Sequence, residues 1–132
     1  MAVDGGLRKI FRKHLPHIHW QAIETGMTGG GVPDDNGCYD RHEFWIEYKQ
    51  TKGYQVKIQP AQVAWHLRRQ RAGGRTFLAV LRQGEQLWLF NGADIKHIKL
   101  TDINRERHRL LYLGNNGPAK WDWQRIETLL MS

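Results

Sequence analysis

Cysteine, acidic residues and long apolar runs are all scarce in this sequence. The lone cysteine, Cys38, excludes an internal disulfide and a cysteine-rich zinc cage, and it suits a reducing compartment. No apolar stretch approaches the roughly 20 residues that span a bilayer. The opening Met1-Ala2-Val3-Asp4-Gly5-Gly6 has no apolar h-region, which predicts no secretory signal. Internal repeats and low-complexity segments are absent. The 13 acidic residues are outnumbered by 20 Lys and Arg among 132 residues, leaving a net charge of +7. Six Trp, four Tyr and four Phe supply bulky core material despite a hydrophobic content of 40%. The expectation is one soluble, basic, cytoplasmic domain spanning 1–132, with no membrane association. Its charge favours an anionic partner, nucleic acid first, but a basic chain can bind without doing chemistry.

Residues 7–15 place Leu7, Ile10, Phe11 and Leu15 at helical spacing, with Arg8, Lys9, Arg12 and Lys13 on the other side. That pattern predicts an amphipathic helix with a basic outer face, stopped near Pro16. Residues 17–24 alternate like a strand, and a glycine-rich stretch from Gly26 to Gly31 follows. Residues 43–50 predict a strand with Phe44, Ile46 and Tyr48 on one face and Trp45, Glu47 and Lys49 on the other. Gln59-Pro60 opens a helix whose apolar stripe is Val63, Ala64 and Leu67, loaded late with Arg68, Arg69 and Arg71 and ended by Gly73-Gly74. Residues 76–81 and 86–90 predict a hairpin, 93–99 a short helix and the tail a final helix over the sheet. The order predicts an α/β (α+β) domain, a central mixed β-sheet flanked by helices, with 43–50 and 76–81 parallel through the middle helix.

The pattern that carries chemistry is Pro33-Asp34 followed by Glu47-Tyr48-Lys49. Glu47 and Lys49 share a strand face, and Asp34 lies at hairpin distance upstream. Two carboxylates meeting at one point are costly without a cation between them. Mg²⁺ suits such a point: it takes hard oxygen ligands, keeps several waters and needs few carboxylates beside a phosphate. It lowers the pKa of a bound water, while Lys49 is placed to orient that water or steady a developing oxyanion. An acid-x-Lys triplet alone carries little weight, because a solvated strand face looks the same. Asp94-Ile95-Lys96 is a second match, at a helix start with no Pro-Asp upstream. The aromatic strand and the glycine-rich Pro-Asp turn single out the first match.

Gly31-Val32-Pro33-Asp34, Glu47-Tyr48-Lys49, Gln62 on the next helix, and Gly74 before Phe77-Leu78-Ala79-Val80 together resemble the PD-(D/E)XK nuclease superfamily. The closest likeness is to small stand-alone VRR-NUC and Holliday-junction-resolvase-like members, often phage-encoded, and it covers roughly residues 20–90. The resemblance implies a restriction-endonuclease-like core, hydrolysis dependent on Mg²⁺ or Mn²⁺, and frequently a homodimer. If phage-encoded, the protein would act in the host cytoplasm. By position, Asp34 and Glu47 become metal ligands with the Tyr48 backbone carbonyl as a third. Lys49 becomes the catalytic lysine, and Gln62 the glutamine that supports the lysine or the water. The family often adds an upstream Glu, and Glu24 stands where that residue or a plain sheet-edge carboxylate would stand. Asp35 occupies a position that is usually apolar, leaving Asp34 and Asp35 both available to point inward, with Asp34 preferred.

His14, His17 and His19 cluster, the last two on one strand face, but lack further ligands at zinc spacing. Cys38 has no His or Cys partner motif for a catalytic thiol. Trp121 and Trp123 can stack bases, although aromatics so spaced more often pack a core. Arg8, Lys9, Arg12, Lys13, Lys52, Lys57, Arg68, Arg69 and Arg71 are candidate phosphate contacts, which position a substrate without reading its sequence. The sequence therefore predicts a metal-dependent endodeoxyribonuclease that hydrolyses DNA phosphodiester bonds with a metal-activated water, selective for Holliday junctions or other branched DNA. Two rival readings are a non-catalytic DNA-binding module on the same fold and an unrelated basic interaction domain.

Overall fold

The computed structural model describes residues 4–23, 30–104, 109–114 and 117–132. Helix α1 (Leu7–His14) leads into strand β1 (His19–Ala22), then the hairpin β2 (Asp35–Tyr39) and β3 (His42–Thr51). Helix α2 (Pro60–Arg71) crosses to β4 (Thr76–Arg82), which turns back into β5 (Gln86–Asn91). A 3₁₀ turn, α3 (Ile95–Leu100), β6 (Arg109–Leu113) and α4 (Trp123–Met131) complete the chain. All six strands form one sheet in sequence order. Only β3 and β4 run parallel, with Glu47 opposite Leu78 and Lys49 opposite Val80. The crossover through α2 makes that pairing possible, because parallel neighbours cannot be joined by a tight turn.

Each face of the sheet carries its own core. Phe44, Ile46 and Tyr48 of β3 join Phe77, Ala79, Leu81, Leu87 and Leu89 beneath α1 and α4, which contribute Leu7, Phe11, Ile126 and Leu130. The opposite face packs Leu78, Val80, Trp88 and Phe90 against Val56, Ile58, Ile95, Ile98 and Ile103. β4 lies under both cores and is apolar on both sides, as a strand covered on two faces must be. The two-residue turn between β2 and β3 uses Asp40 and Arg41 at φ 49 and 68, the left-handed pair that matches hairpin twist.

The predicted hairpins, parallel crossover and terminal helices are present, with four departures. β6 is an extra edge strand on β5. β1 begins at His19, so His17 sits in the preceding turn and shares no strand face with it. The basic side of α1 is not all outward: Arg8 and Arg12 reach the buried carboxylate of Asp35, at 3.8 and 2.7 Å. Finally, α2 buries His66 most deeply, within the half-buried Val63, Ala64 and Leu67 stripe, where its inner side meets a polar seam. There His66 Nδ1 lies 2.9 Å from the Thr76 hydroxyl. A Cβ on Gly92 would fall 1.7 Å from the same hydroxyl oxygen and 2.7 Å from that ring nitrogen, so only glycine lets the chain pass. No helix among the described residues is long and apolar enough to cross a membrane.

His66 Nε2 is buried without a partner among the described residues, and burial pushes the imidazole pKa down to about 4. The unfolded ring takes its proton near its ordinary 6.5, so between these values the unfolded chain binds more protons and stability falls as pH falls. Between pH 7 and pH 5 the wild type is expected to lose about 2 kcal/mol more than His66→Gln. Urea unfolding at the two pH values measures this, and equal pH slopes would contradict it.

Candidate active site

The β2–β3 ladder ends at Asp35 opposite Ile46, leaving the edge of β3 open beyond it. The Tyr48 N–H on that edge donates to Asp34 Oδ2 at 2.9 Å, which docks Asp34 beside the middle of β3. Gly31 makes the approach possible. It sits at φ 102, and a Cβ there would lie 2.2 Å from the Ala61 carbonyl oxygen in the first turn of α2. The Pro33-Asp34 segment is thereby pressed against the helix end that carries Gln62.

Asp34, Glu47, Lys49 and Gln62 line one cleft of about 350 Å³, together with Tyr48, Asp4 and Arg8. Gln62 is the connector. Its Nε2 donates to Glu47 Oε2 at 3.2 Å, and its Oε1 accepts from Lys49 Nζ at 3.1 Å. Oε1 also accepts from the Gln59 N–H at 2.8 Å, half of a capping box that closes the start of α2. Helix capping thus holds the amide that spaces Glu47 from Lys49, whose Nζ stays 3.8 Å from Glu47 Oε2.

The carboxyls of Asp34 and Glu47 line the same cleft. Burial first, and the neighbouring Asp34 second, push Glu47 up to about 9, against the smaller pull of Lys49. Glu47 Oε1 is buried with no hydrogen-bond partner among the described residues. A carboxyl oxygen buried with no donor is costly to ionise unless a cation meets it. Two hard carboxylates with one orphaned oxygen, open to a polar cleft, fit a divalent ion of the Mg²⁺ type.

Asp34 and Asp35 occupy opposite sides of the sheet. Asp35 is buried on the far side, accepting from Arg12 Nη2 at 2.7 Å and from the Tyr48 hydroxyl at 2.9 Å. Burial raises its pKa, against the opposing pull of these partners and Arg8. Burial and the adjacent Asp35 likewise push the Tyr48 phenol well above its ordinary value. Arg8 bridges the two sides by donating to the Asp34 carbonyl oxygen at 2.8 Å. The sequence pattern assigned Arg8 to an outer face and passed over Asp4; the signal for both was their place around the glycine turn that starts α1.

The remaining candidates are spread out. Lys9 and Lys13 are exposed on α1, Lys52 and Lys57 on the loop after β3, and Arg68, Arg69 and Arg71 on the late turns of α2. Glu24 lies outside the described residues. His14 stacks on Trp123 and His17 pairs with Glu127. Trp121 and Trp123 pack into the core, donating their indole N–H groups to the Glu85 and Pro118 carbonyls. Asp94 lies at the start of α3, separate from the cleft, and Cys38 is half-buried on β2.

A carboxyl held near 9 is stabilising while protonated, so its contribution is present below its ordinary pKa and is lost as pH rises toward 9. Glu47→Gln keeps the shape and removes the charge. In EDTA at pH 8 the variant is expected to melt roughly 4 °C or more above the wild type, a gap that closes at pH 5. Added Mg²⁺ should raise the wild-type melting temperature and leave the variant unmoved; an equal Mg²⁺ shift in both would place the cation elsewhere.

No family model matches the chain, and no curated protein matches it in sequence. Among solved structures it is similar to Archaeoglobus fulgidus Hjc, a Holliday junction resolvase from an archaeal hyperthermophile, with 13% identity and a TM-score of 0.48. That similarity covers 67% of this chain and 72% of the resolvase chain.

Proposed function

We propose that this chain is a metal-dependent endodeoxyribonuclease acting on branched DNA, Holliday junctions among its substrates. The observation that carries the reading is the buried, half-orphaned Glu47 carboxyl beside Asp34, tied through Gln62 to Lys49. Mg²⁺ or Mn²⁺ would be held by the side chains of Asp34 and Glu47 and by the Tyr48 carbonyl. A strand residue sends its N–H and C=O to the same edge, so that carbonyl faces the side where the Tyr48 N–H meets Asp34. Bound there, the cation supplies a Lewis acid that lowers the pKa of water and offsets phosphate charge.

The protein's own groups do the rest. Lys49 presents an ammonium at the cleft, braced by Gln62, where it orients the attacking water and balances charge building on the phosphoryl oxygens. Arg8 adds a second cationic group on the cleft wall. Water attacks phosphorus in line, the bond to the 3′ oxygen breaks, and the products are a 5′-phosphate and a 3′-hydroxyl. The exposed Lys9, Lys13, Lys52, Lys57, Arg68 and Arg71 hold flanking phosphates, which makes binding fall steeply with salt. A homodimer would set two clefts on opposed strands of a junction, matching its two-fold symmetry.

Linear duplex, nicked, flap and four-way-junction DNA incubated with Mg²⁺, Mn²⁺ or EDTA tests the reading. Cutting should require a divalent cation, and Glu47→Ala or Lys49→Ala should lower its rate by at least about 10²-fold with binding in EDTA retained. Gln62→Ala should act more mildly. Metal-independent binding with no cutting of any substrate would replace this reading with that of a DNA-binding module.

A further inference from the structure

The chain has six Trp, and four of them, Trp20, Trp88, Trp121 and Trp123, donate their indole N–H to a protein oxygen. Trp45 and Trp65 find no acceptor among the described residues, and they stand side by side with ring centroids 5.2 Å apart. Both are only half-buried. Neither indole nitrogen is a buried, unpartnered atom, so both N–H groups reach solvent and the pair presents a surface rather than core.

Their placement follows from the two elements that build the cleft. Trp45 precedes Glu47 by two residues on β3, on the same face and about 7 Å away along the strand. Trp65 follows Gln62 by three residues on α2, one turn further along. The Arg69 guanidinium covers both rings, 5.1 Å from the Trp45 centroid and 4.7 Å from that of Trp65. Gly74 leaves room for its stem, since a Cβ there would lie 2.4 Å from Arg69 Cδ. Arg68 and Arg69 flank a shallow depression with Trp65 and Ala72, and α2 carries no acidic residue. The surface is aromatic and cationic, and it begins two residues from Glu47 on β3 and three from Gln62 on α2.

We propose that Trp45, Trp65 and Arg69 form a stacking subsite for an unpaired nucleobase next to the Glu47–Lys49 cleft. The substrate class is then DNA with an unstacked nucleotide beside the point of cutting, a flap, bulge or open branch point, rather than continuous duplex. Bases inside a duplex already stack on one another and offer no free face, whereas an unpaired base stacks on an aromatic side chain whatever its identity. In the free protein the guanidinium covers the rings; an incoming base takes that position and leaves Arg69 to a flanking phosphate. The identity of the substrate rests on the nuclease reading above; the stacking surface does not.

The test uses the full chain in EDTA, with flap DNA carrying 2-aminopurine as its first unpaired base and a matched duplex of equal length. Wild-type protein should quench the 2-aminopurine and bind the flap more tightly than the duplex. Trp65→Ala should lose the quenching and weaken flap binding about tenfold, with duplex binding nearly unchanged. Trp65→Phe should keep much of both effects, and the exposed Arg69→Ala should reduce the flap preference even if Trp65→Ala fails to fold. Wild-type quenching and preference in both Trp65→Ala and Arg69→Ala would overturn the subsite, as would wild-type protein that binds flap and duplex equally. Since no cation is present, flap preference that depends on Trp65 supports the subsite even if Mg²⁺ elicits no cutting. Cutting without any quenching would sink the subsite and spare the nuclease reading.

Discussion

The burial of Glu47 against Asp34 is the interaction on which the site depends. Two carboxyls in one desolvated place repel, and Glu47 responds by holding its proton up to about pH 9. The surrounding structure is arranged to maintain that contact. The β2–β3 ladder stops early, so the β3 edge is free to grip Asp34 through the Tyr48 N–H. Gly31 lets the Asp34 segment press against α2. Gln62 then spans Glu47 and Lys49, whose Nζ lies 3.8 Å from Glu47 Oε2.

The same few residues also divide labour across the sheet. On the far side, Asp35 gathers Arg8, Arg12 and the Tyr48 hydroxyl into a buried polar network under α1. On the near side, Asp34 reaches the cleft. Tyr48 belongs to both sides, its ring in one core and its backbone at the other's edge. Arg8 couples them again by holding the Asp34 carbonyl. Both Asp35 oxygens are partnered there, although the buried Nε atoms of Arg8 and Arg12 find no hydrogen bond among the described residues. The network holds the segment that delivers Asp34, and α1 becomes part of the site rather than a basic rim beside it.

Much of this was legible along the chain. The alternation in 43–50 placed Glu47 and Lys49 on one face because a strand's side chains must alternate, with Phe44, Ile46 and Tyr48 together on the other. The helix lying between the strands at 43–50 and 76–81 predicted a crossover, and hence parallel β3 and β4. Strand β6 was not legible, since a short edge strand takes its place from β5 rather than from its own pattern. The predicted stripe of α2 packs inward at Val63, but His66 was missed: it is polar, and only a partner opposite it, the Thr76 hydroxyl, signals its burial. The Trp45–Trp65–Arg69 cluster left a trace, an aromatic and an arginine one helical turn apart, but its first member comes from another element.

The sequence by itself determined the periodicities, the basic surplus, the order of helices and strands up to β6, and the short list containing Asp34, Glu47, Lys49 and Gln62. These follow from local rules, because neighbours along a strand or helix stand at set angles to one another. Only the tertiary structure decided that Asp34 rather than Asp35 faces the cleft, that Gln62 bridges Glu47 and Lys49, and that Arg8 and Arg12 turn inward. Those outcomes depend on which groups lose water together and which partners stand across the gap when they do. Desolvation and hydrogen-bond satisfaction belong to residues far apart in the chain, and they acquire their values only when the sheet has closed.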